Sequence, residues 1–519
     1  MVPIKMTPIT IFNMRYTIIC IAKIQYGDKL STRHEITDKT TLKSEYPDNR
    51  DISNNEVFMA NIFIPSPKFP IMSRNRDLEY NLPKLLLVSF LMILSCLAVA
   101  LVCYNLVPNV KPVLLDRVNA SAEDIALILG TIPQVINFIL CPLISTMSDR
   151  TRTRFGRRIP YLLISAPLLV ISLLSIAWYQ EITEFVIRCV PSLANYPATP
   201  FWVLAVLMLI FQILYLFPGS VVYYLIADVI PSEYIGRYMA ISSGCTSALT
   251  AGFSWYILKY AFSDMKLTFC IIGAFYLITY LLLFRYVKEG TYPPVKNTPD
   301  DGTPALKRSA DYLGMFFRQC FQHKIFIFLF ICTGLNQAST ICRGMYNVLF
   351  ATKDLNISIE NYGKVLAIGG VISTIMAFCL GKLIDKYTPL FIYLSGGILV
   401  IITNIFGYFF VHDLGTFAVI GIVMTMMYTL QNLAGSPMLV KLLPMDKYGQ
   451  FASANSMVNS VAVFFGAWLG GKLTAAFGYR VMFIWDFGVT IMAMLALGIV
   501  YREWKRFGGK ENYTPPEIR

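Results

Sequence analysis

The chain has 519 residues, of which 56% are hydrophobic and 14% are charged, and its formal net charge is +13. Soluble domains carry about 25% charged residues, so this composition excludes an ordinary soluble protein and predicts a polytopic membrane protein. An excess of Lys and Arg is typical of the cytoplasmic loops of such proteins, and we therefore expect no nucleic-acid partner.

Cysteine and histidine form no recognisable site in this sequence. The 11 cysteines are scattered, mostly inside apolar segments and without a Cys-x-x-Cys pair, and the 3 histidines are far apart. They predict neither a disulfide framework nor a metal site. The sequence also lacks a Walker loop and a Ser/His/Asp arrangement, so we expect no enzymatic activity and no cofactor.

Residues 1–83 differ from the rest of the chain because they are polar and of mixed charge. Their weak apolar run, Tyr16–Ala22, is too short to span a bilayer, and no small-residue cleavage site follows it. We expect a disordered cytoplasmic extension. Whether residues 1–71 belong to the natural protein stays open, because Met72 could be the true start.

Twelve apolar segments follow, each long enough to cross a bilayer as a helix of about 20 residues. The first half has Leu85–Leu106, Asp124–Met147, Pro160–Trp178, Phe201–Ala227, Arg237–Phe262 and Leu267–Tyr286. The second half has Ile325–Phe350, Tyr362–Ile384, Leu390–Phe410, Thr416–Leu439, Phe451–Phe477 and Val481–Tyr501. The sequence therefore predicts an all-α integral membrane protein with 12 transmembrane helices.

The charges of the loops predict the orientation. The loop that contains Arg150–Arg158 and the long connection at 288–324 are basic, so both are expected in the cytoplasm together with the two termini. This predicts one bundle at 84–287, a linker at 288–324 with an amphipathic segment Leu306–Gln322, a second bundle at 325–502 and a tail at 503–519. We expect the plasma (inner) membrane.

The two halves resemble each other at four places that occur in the same order. The matches are Asn119–Asp124 with Asn356–Asn361, Tyr104-Asn105 with Tyr346-Asn347, Asp149-Arg150 with Gly381–Lys386, and Pro231–Tyr238 with Pro444–Phe451. They predict a duplicated six-helix unit in parallel orientation, an architecture in which two bundles rock around a central cavity.

A chain of two six-helix halves with Asp149-Arg150 and Gly156-Arg157-Arg158 between spans two and three is similar to the major facilitator superfamily. The longer spacing inside this motif resembles the glycoside–pentoside–hexuronide:cation symporters and the related sucrose transporters. That resemblance implies the major facilitator fold, a sugar or glycoside as substrate, and a coupling cation. Ser145 departs from the Gly that commonly stands four residues before the motif Asp. Span two lacks the aspartates of the sodium-coupled members, and this difference favours a proton as the coupling cation.

The charged loop also suggests a gate. Charges at helix ends can pair across the boundary between the bundles and hold one closed state, and Asp228 or Glu233 could be a partner for its arginines. The alternative is plain anchoring of a cytoplasmic loop, which we prefer for Arg152 and Arg154. The predicted gating residues are Asp149, Arg150, Gly156, Arg157, Arg158, Asp228, Arg237, Gly381, Asp385 and Lys386.

Ionisable residues inside apolar spans are functional candidates, because burying a charge in lipid is costly. Arg343 in span seven and Asp486 in span twelve lie at similar depth, so a pair between them or with substrate is a hypothesis for the coupling ion. The alternative for Arg343 is that its long side chain reaches the membrane surface.

Uncharged polar residues at mid-span are the candidates for substrate binding, because amides donate to and accept from sugar hydroxyls and tyrosines stack on a pyranose. The alternative is ordinary hydrogen bonding between helices. The candidates are Tyr104, Asn105, Gln134, Asn137, Gln212, Tyr215, Asn336, Gln337, Tyr346, Asn347, Asn432, Asn455 and Asn459.

Together these features predict a secondary active transporter that moves a small polar solute, a sugar or glycoside, with a cation by alternating access. We expect it to work as a monomer in membrane lipid. Two alternatives stay open: an antiporter that exports amphipathic compounds, and a transporter-like solute sensor. The identity of the solute and the direction of transport are not predicted.

Overall fold

The computed structural model describes residues 82–290, apart from 152 and 154, and residues 314–516, apart from 387, 445 and 446. The expected extension at 1–81 and linker residues 291–313 lie outside the described part, as do the first residues of the amphipathic segment. Within the described part of that segment, residues 314–320 are helical. The described residues form helices and no strand, except for one isolated antiparallel bridge between Thr153 and Gly156.

The first half contains six long helices. Helix α1 runs from Leu82 to Arg117 and includes a π-helical segment, Ala100–Leu106; α2 runs from Ala122 to Arg150 and includes the π-helical Leu127–Thr131. They are followed by α3 (Ile159–Ala177), α4 (Thr199–Val229), α5 (Ser232–Gly252, extended by the π-helical Phe253–Ile257) and α6 (Met265–Tyr286). A short helix, Tyr179–Cys189, lies between α3 and α4.

The second half repeats this arrangement. Helix α7 comprises Lys324–Ser339, Ile341–Leu349 and the π-helical Phe350–Asp354. It is followed by α8 (Ile359–Lys386), α9 (Pro389–Phe410), α10 (Leu414–Leu442), α11 (Tyr448–Phe477) and α12 (Val481–Arg506). Within the described residues, 10 helices are long and apolar enough to cross a membrane, and α5 and α8 are the other two long helices. The all-α membrane fold of two six-helix bundles is therefore confirmed.

The packing of the helices shows the duplication that the sequence predicts. In the first half α1 packs on α5 and α6, and α3 packs on α4 and α6; in the second half α7 packs on α11 and α12, and α9 packs on α10 and α12. The loops repeat as well, because Asn119 and Asn356 both adopt a positive φ, of 58° and 51°. Ser121 then caps α2 through a reciprocal pair of contacts with Asp124.

The two halves meet along α2 with α11 and along α5 with α8, and the end of α1 also packs on α7. We call the end of the bundle that carries the α2–α3 connection the arginine end, and the other the opposite end. Small residues bring the halves together towards the opposite end: a Cβ atom at Gly130 would overlap Ala467, and one at Gly471 would overlap Ala126. The apolar core of the first half accordingly continues into the opposite-end part of the second half.

Candidate functional site

Two arginines of the α2–α3 connection bind one carboxylate at the end of α4. Arg157 Nη2 lies 2.9 Å from Asp228 Oδ1 and 3.0 Å from Oδ2, and Arg158 Nε lies 2.5 Å from Oδ2. The side chains of Arg158 and Asp228 are each only 8% exposed. The Arg158 guanidinium also lies 4.8 Å from the centre of the Tyr224 ring. Asp228 is thus the arginine partner that the sequence suggested.

Glu289, which sequence reasoning missed, holds the start of α3. Its carboxylate accepts hydrogen bonds from the backbone N–H groups of Arg157, Arg158 and Ile159 at 2.9, 2.8 and 2.7 Å. These N–H groups have no acceptor within the helix and carry the positive end of its dipole, so an acidic side chain is favourable there. Its place just after the sixth span was the only sequence signal.

Gly156 is required for this contact for two reasons. Its φ is +109°, a backbone conformation that side chains with a Cβ rarely adopt. A Cβ atom would also lie 2.5 Å from the carboxyl carbon of Glu289. We call Gly156, Arg157, Arg158, Asp228 and Glu289 the arginine cluster.

The described contacts of the arginine cluster join three parts of the first half. These are the start of α3, the end of α4, and Glu289, which follows α6. These contacts stabilise the first bundle, and pairing of this loop across the boundary between the bundles stays a prediction. The remaining predicted gating side chains lie outside the described part, so their role stays a prediction. These are Asp149, Arg150, Arg237, Gly381, Asp385 and Lys386.

The second half contains a buried ion pair between Arg343 on α7 and Asp486 on α12. The distance from Arg343 Nε to Asp486 Oδ2 is 3.1 Å, and the side chains are 16% and 0% exposed. Arg343 Nη2 also donates to Asn404 Oδ1 at 2.7 Å, and the Tyr428 hydroxyl donates to Asp486 Oδ2. Arg343 therefore faces the interior of the bundle. This differs from the alternative, in which its side chain reaches the membrane surface.

The ion pair is not fully satisfied by its protein partners. Asp486 Oδ1 is buried and has no hydrogen-bond partner among the described residues, and the same is true of Asn347 Oδ1. Arg343, Asn347 and Tyr428 line a cavity of about 70 Å³, which is large enough for water. Sequence reasoning missed Tyr428 and Asn404, although each is a polar side chain inside an apolar span.

Five of the predicted substrate-binding residues use polar atoms for contacts between helices, and one of them is Asn347, whose Nδ2 donates to the Tyr362 hydroxyl. Asn105 Nδ2 donates to Ala100 O and to Thr250 Oγ1. The Thr333 hydroxyl contacts Asn455 Oδ1 and Asn459 Oδ1. Tyr346 is fully buried, and its hydroxyl donates to Ala122 O at 2.6 Å, across the boundary between the halves. In the described conformation these contacts match the alternative of helix–helix hydrogen bonding.

The other candidates differ in how far they are exposed. Tyr104 is 47% exposed, and its ring packs edge-on against Tyr215 at 6.4 Å between ring centres. Gln337 and Asn432 are exposed, Gln134, Asn137, Gln212 and Asn347 are half-buried, and Asn336 is buried. The tyrosine pair is on α1 and α4 of the first half, and the role of these candidates in substrate binding stays a prediction.

Lys111 is an ionisable residue inside a span that sequence reasoning overlooked. The first span was predicted to end at Leu106, but α1 continues to Arg117 and includes Lys111. Its Nζ lies 5.0 Å from the centre of the Phe211 ring on α4. The apolar residues Val110, Leu114 and Leu115 on either side of it were the available signal.

Further contacts join the two halves at the opposite end. Lys353 at the end of α7 forms an ion pair with Asp116 at the end of α1. Along α5 and α8, a Cβ atom at Gly363 would overlap the carbonyl oxygen of Ser254. With the Tyr346–Ala122 hydrogen bond, these contacts hold the opposite end closed.

Comparisons with known proteins were made for the sequence and for the fold. The family model of the Major Facilitator Superfamily matches residues 88–341 and 329–514. No curated protein matches the sequence.

Among solved structures, a bacterial homolog of the human lysosomal transporter Spinster, in an inward-facing and unoccupied conformation, is similar with a TM-score of 0.57 at 13% identity. That alignment covers 80% of this chain and 95% of the other. The nucleoside transporter NupG aligns with a TM-score of 0.55 at 12% identity, over 81% and 99% of the chains. A D-xylose-proton symporter aligns with a TM-score of 0.53 at 15% identity, over 80% of this chain and 96% of the other. The family match spans both six-helix halves, and the chain therefore belongs to the Major Facilitator Superfamily of transporters.

Proposed function

We propose that this transporter moves a small polar solute, a sugar or glycoside, together with a proton by alternating access. The observation that supports the proposal is the set of contacts that joins the two halves at the opposite end. The contacts across the boundary that were described above, namely Lys353–Asp116, the Tyr346 hydrogen bond and the glycine positions, lie at the opposite end. A chain in this state can open towards the arginine end, and rocking of the halves would exchange the two openings.

The arginine cluster supports rigid-body rocking. Arg157 and Arg158 bind α3 to Asp228 of α4, and Glu289 after α6 binds the start of α3. Buried, charge-assisted hydrogen bonds resist separation, so the three helix ends move as one unit. We propose that the arginine end faces the cytoplasm, because basic loops are retained there. In that orientation the described contacts between the halves lie at the outer end.

The buried ion pair is the proposed coupling site. Asp486 is fully buried, and one of its oxygens accepts from both Arg343 and Tyr428. Protonation of this carboxylate would remove its attraction for Arg343 and free the guanidinium to move. Because Arg343 and Asp486 belong to α7 and α12, a change in this pair alters the packing between two helices of the second half.

The test is solute uptake by the purified protein in proteoliposomes. A panel of sugars and glycosides is offered with an imposed pH gradient, with an imposed sodium gradient, or with neither. We expect accumulation of at least one solute above its equilibrium level when the lumen is alkaline relative to the outside, and no effect of sodium. Binding without accumulation under either gradient would reject transport and favour a solute sensor.

A matched variant checks that accumulation depends on the proposed site. Asp486→Asn keeps the shape of the side chain and removes its ionisable group, while Glu503→Gln makes the same kind of change at a half-buried residue near the end of α12. We expect accumulation to be lost in the first variant and retained in the second. Equal loss in both would argue against a specific role of Asp486.

A further inference from the structure

Lys111 is a half-buried lysine inside the first span, and it can be compared with the other cations that the structure describes in and near the spans. Several of those cations have a carboxylate partner; the pairs are Arg157 and Arg158 with Asp228, Arg343 with Asp486, Lys353 with Asp116, and Lys266 with Glu181. Within the described residues, no carboxylate lies within ion-pair distance of Lys111 Nζ, and its described contact is with the Phe211 ring. A cation–π contact is weaker than the cost of holding an unpaired ammonium among apolar helices.

The internal repeat makes this difference more informative. Aligning Tyr104-Asn105 with Tyr346-Asn347 places Lys111 and Lys353 at the same position of α1 and α7. In the second half Lys353 binds Asp116 across the boundary between the halves. Lys111, the equivalent lysine of the first half, has no carboxylate partner among the described residues. This difference points to an anion that comes from outside the chain.

Helix geometry and the Phe211 contact indicate that the Lys111 side chain extends away from the nearby end of α1. Side chains on a helix lean towards its N-terminus, which for Lys111 is the direction away from Arg117 at the nearby helix end. Helix α4 begins at Thr199, at the same end of the bundle as Arg117. The Phe211 ring that Lys111 contacts lies about 18 Å along α4 from that residue. Snorkelling to the surface therefore does not explain this residue.

Lys111 also lies on the same seam between α1 and α4 as the tyrosine pair. Tyr104 precedes it by two helical turns, and Tyr215 follows Phe211 by one, so Lys111–Phe211 and Tyr104–Tyr215 are successive contacts between the same two helices. The ring of Tyr104 beside this seam is half-exposed. On α6, the buried Tyr276 and Tyr280 hydroxyls have no hydrogen-bond partner among the described residues.

We propose that Lys111 binds an anionic group of the transported solute, so that the substrates are sugar-sized polar molecules carrying a carboxylate or a phosphate. The ammonium supplies the charge, while Tyr104 and Tyr215 contact the uncharged remainder of the solute. This inference rests on the transport function proposed above and narrows its substrate class.

The test uses three solutes with one carbon skeleton: glucose, glucuronate and glucose 6-phosphate, at matched ionic strength. Binding to the purified full chain is followed by the shift in melting temperature, and transport by counterflow in proteoliposomes. We expect one of the two anionic solutes to bind at least tenfold more tightly than glucose. The carboxylate and phosphate arms distinguish the two kinds of anionic group.

Variants of Lys111 then show whether the preference comes from this residue. Lys111→Gln is expected to weaken binding of the anionic solute at least tenfold, and Lys111→Arg to retain part of it. Lys472→Gln is the matched control, because Lys472 is exposed on α11 and contacts Trp468. If Lys111→Gln binds the anionic solute as tightly as the wild type does, the proposal is overturned.

A second readout does not depend on finding the solute. Lys111→Met removes an unpaired charge and keeps the length of the side chain, so we expect a higher melting temperature without ligand. A lower melting temperature would mean that Lys111 serves folding and would overturn the inference.

If only glucose is carried, and equally by Lys111→Gln, the inference fails while the transport function stands. If the wild type carries no solute under any gradient, the transport function fails, and the Lys111→Met melting temperature alone decides the inference.

Discussion

Replacing Asp486 with Asn separates the stability of the second half from its transport activity. In the wild type, Asp486 Oδ2 accepts from Arg343 Nε at 3.1 Å and from the Tyr428 hydroxyl. The amide oxygen of Asn can take the same position and accept from both donors. The variant therefore keeps the hydrogen bonds but loses the negative charge, and it leaves Arg343 as a buried cation whose two acceptors, the introduced amide and Asn404, are both neutral.

The magnitude follows from these contacts. Removing one partner of a buried ion pair typically costs 3–5 kcal/mol, that is, about 4 kcal/mol. Because Arg343 is still 16% exposed and keeps neutral acceptors, we expect a smaller loss, of about 2 kcal/mol, in the free energy of unfolding. Asp486→Leu also deprives Tyr428 of its acceptor, so we expect about 4 kcal/mol. Replacing both charges, as in Arg343→Met with Asp486→Leu, should recover much of this loss.

Thermal unfolding of the purified variants and transport in proteoliposomes measure the two effects. We expect the order of melting temperatures to be wild type, then Asp486→Asn, then Asp486→Leu, with the double variant above the last. Proton-driven accumulation should be lost in Asp486→Asn, while counterflow, which needs no net proton movement, should persist. Accumulation at the wild-type level in Asp486→Asn, or a melting temperature equal to that of the wild type, would refute this reasoning.

Three further changes address the contacts that hold the chain in its described state. Gly363→Ala places a methyl group against the carbonyl oxygen of Ser254, so α5 and α8 must move apart at a cost of about 1–3 kcal/mol, and hydrogen exchange should rise at the opposite end. Lys353→Met leaves Asp116 without its cation and should likewise raise exchange at this end, with a small effect on stability because the pair is partly exposed. Glu289→Gln removes the charge that caps α3, and we expect a loss of about 1 kcal/mol in the free energy of unfolding.

Each of these variants has a control in the same chain. Gly370→Ala lies on the same helix as Gly363 in open space and should leave exchange unchanged. Lys364→Met breaks an exposed pair with Glu360 within α8 and should not affect the opposite end. Glu184→Gln disturbs the exposed pair with Arg188 and controls for the loss of an acidic charge. Equal effects in a variant and its control would contradict the contact assigned to the variant.

The arginine cluster shows where sequence reasoning about the site stopped. Arg157, Arg158 and Asp228 were recognised as charged residues at helix ends, and the pairing followed from their expected side of the membrane. Glu289 was not recognised, because a single acidic residue after an apolar span looks like any solvated charge. Its role depends on the turn at Gly156, which carries three backbone N–H groups onto its carboxylate.

The buried ion pair and Lys111 show the same limit in different ways. Depth along a helix can be counted from sequence, and this was enough to suggest a pair between Arg343 and Asp486. The direction in which a side chain points depends on how neighbouring helices pack, so Tyr428 and Asn404 joined the pair only in the structure. Lys111 was missed because the first span was predicted to end at Leu106, whereas helix α1 continues to Arg117.

The sequence by itself determined the membrane class, the helical spans and the duplication of the six-helix unit. These properties depend on local composition and on motifs that repeat in order, because a bilayer requires apolar helices of a certain length wherever they lie. Only the tertiary structure decided which end of the bundle is closed and which polar side chains meet. Those features depend on contacts between residues far apart in the chain, such as Tyr346 with Ala122, and small differences in helix packing determine them.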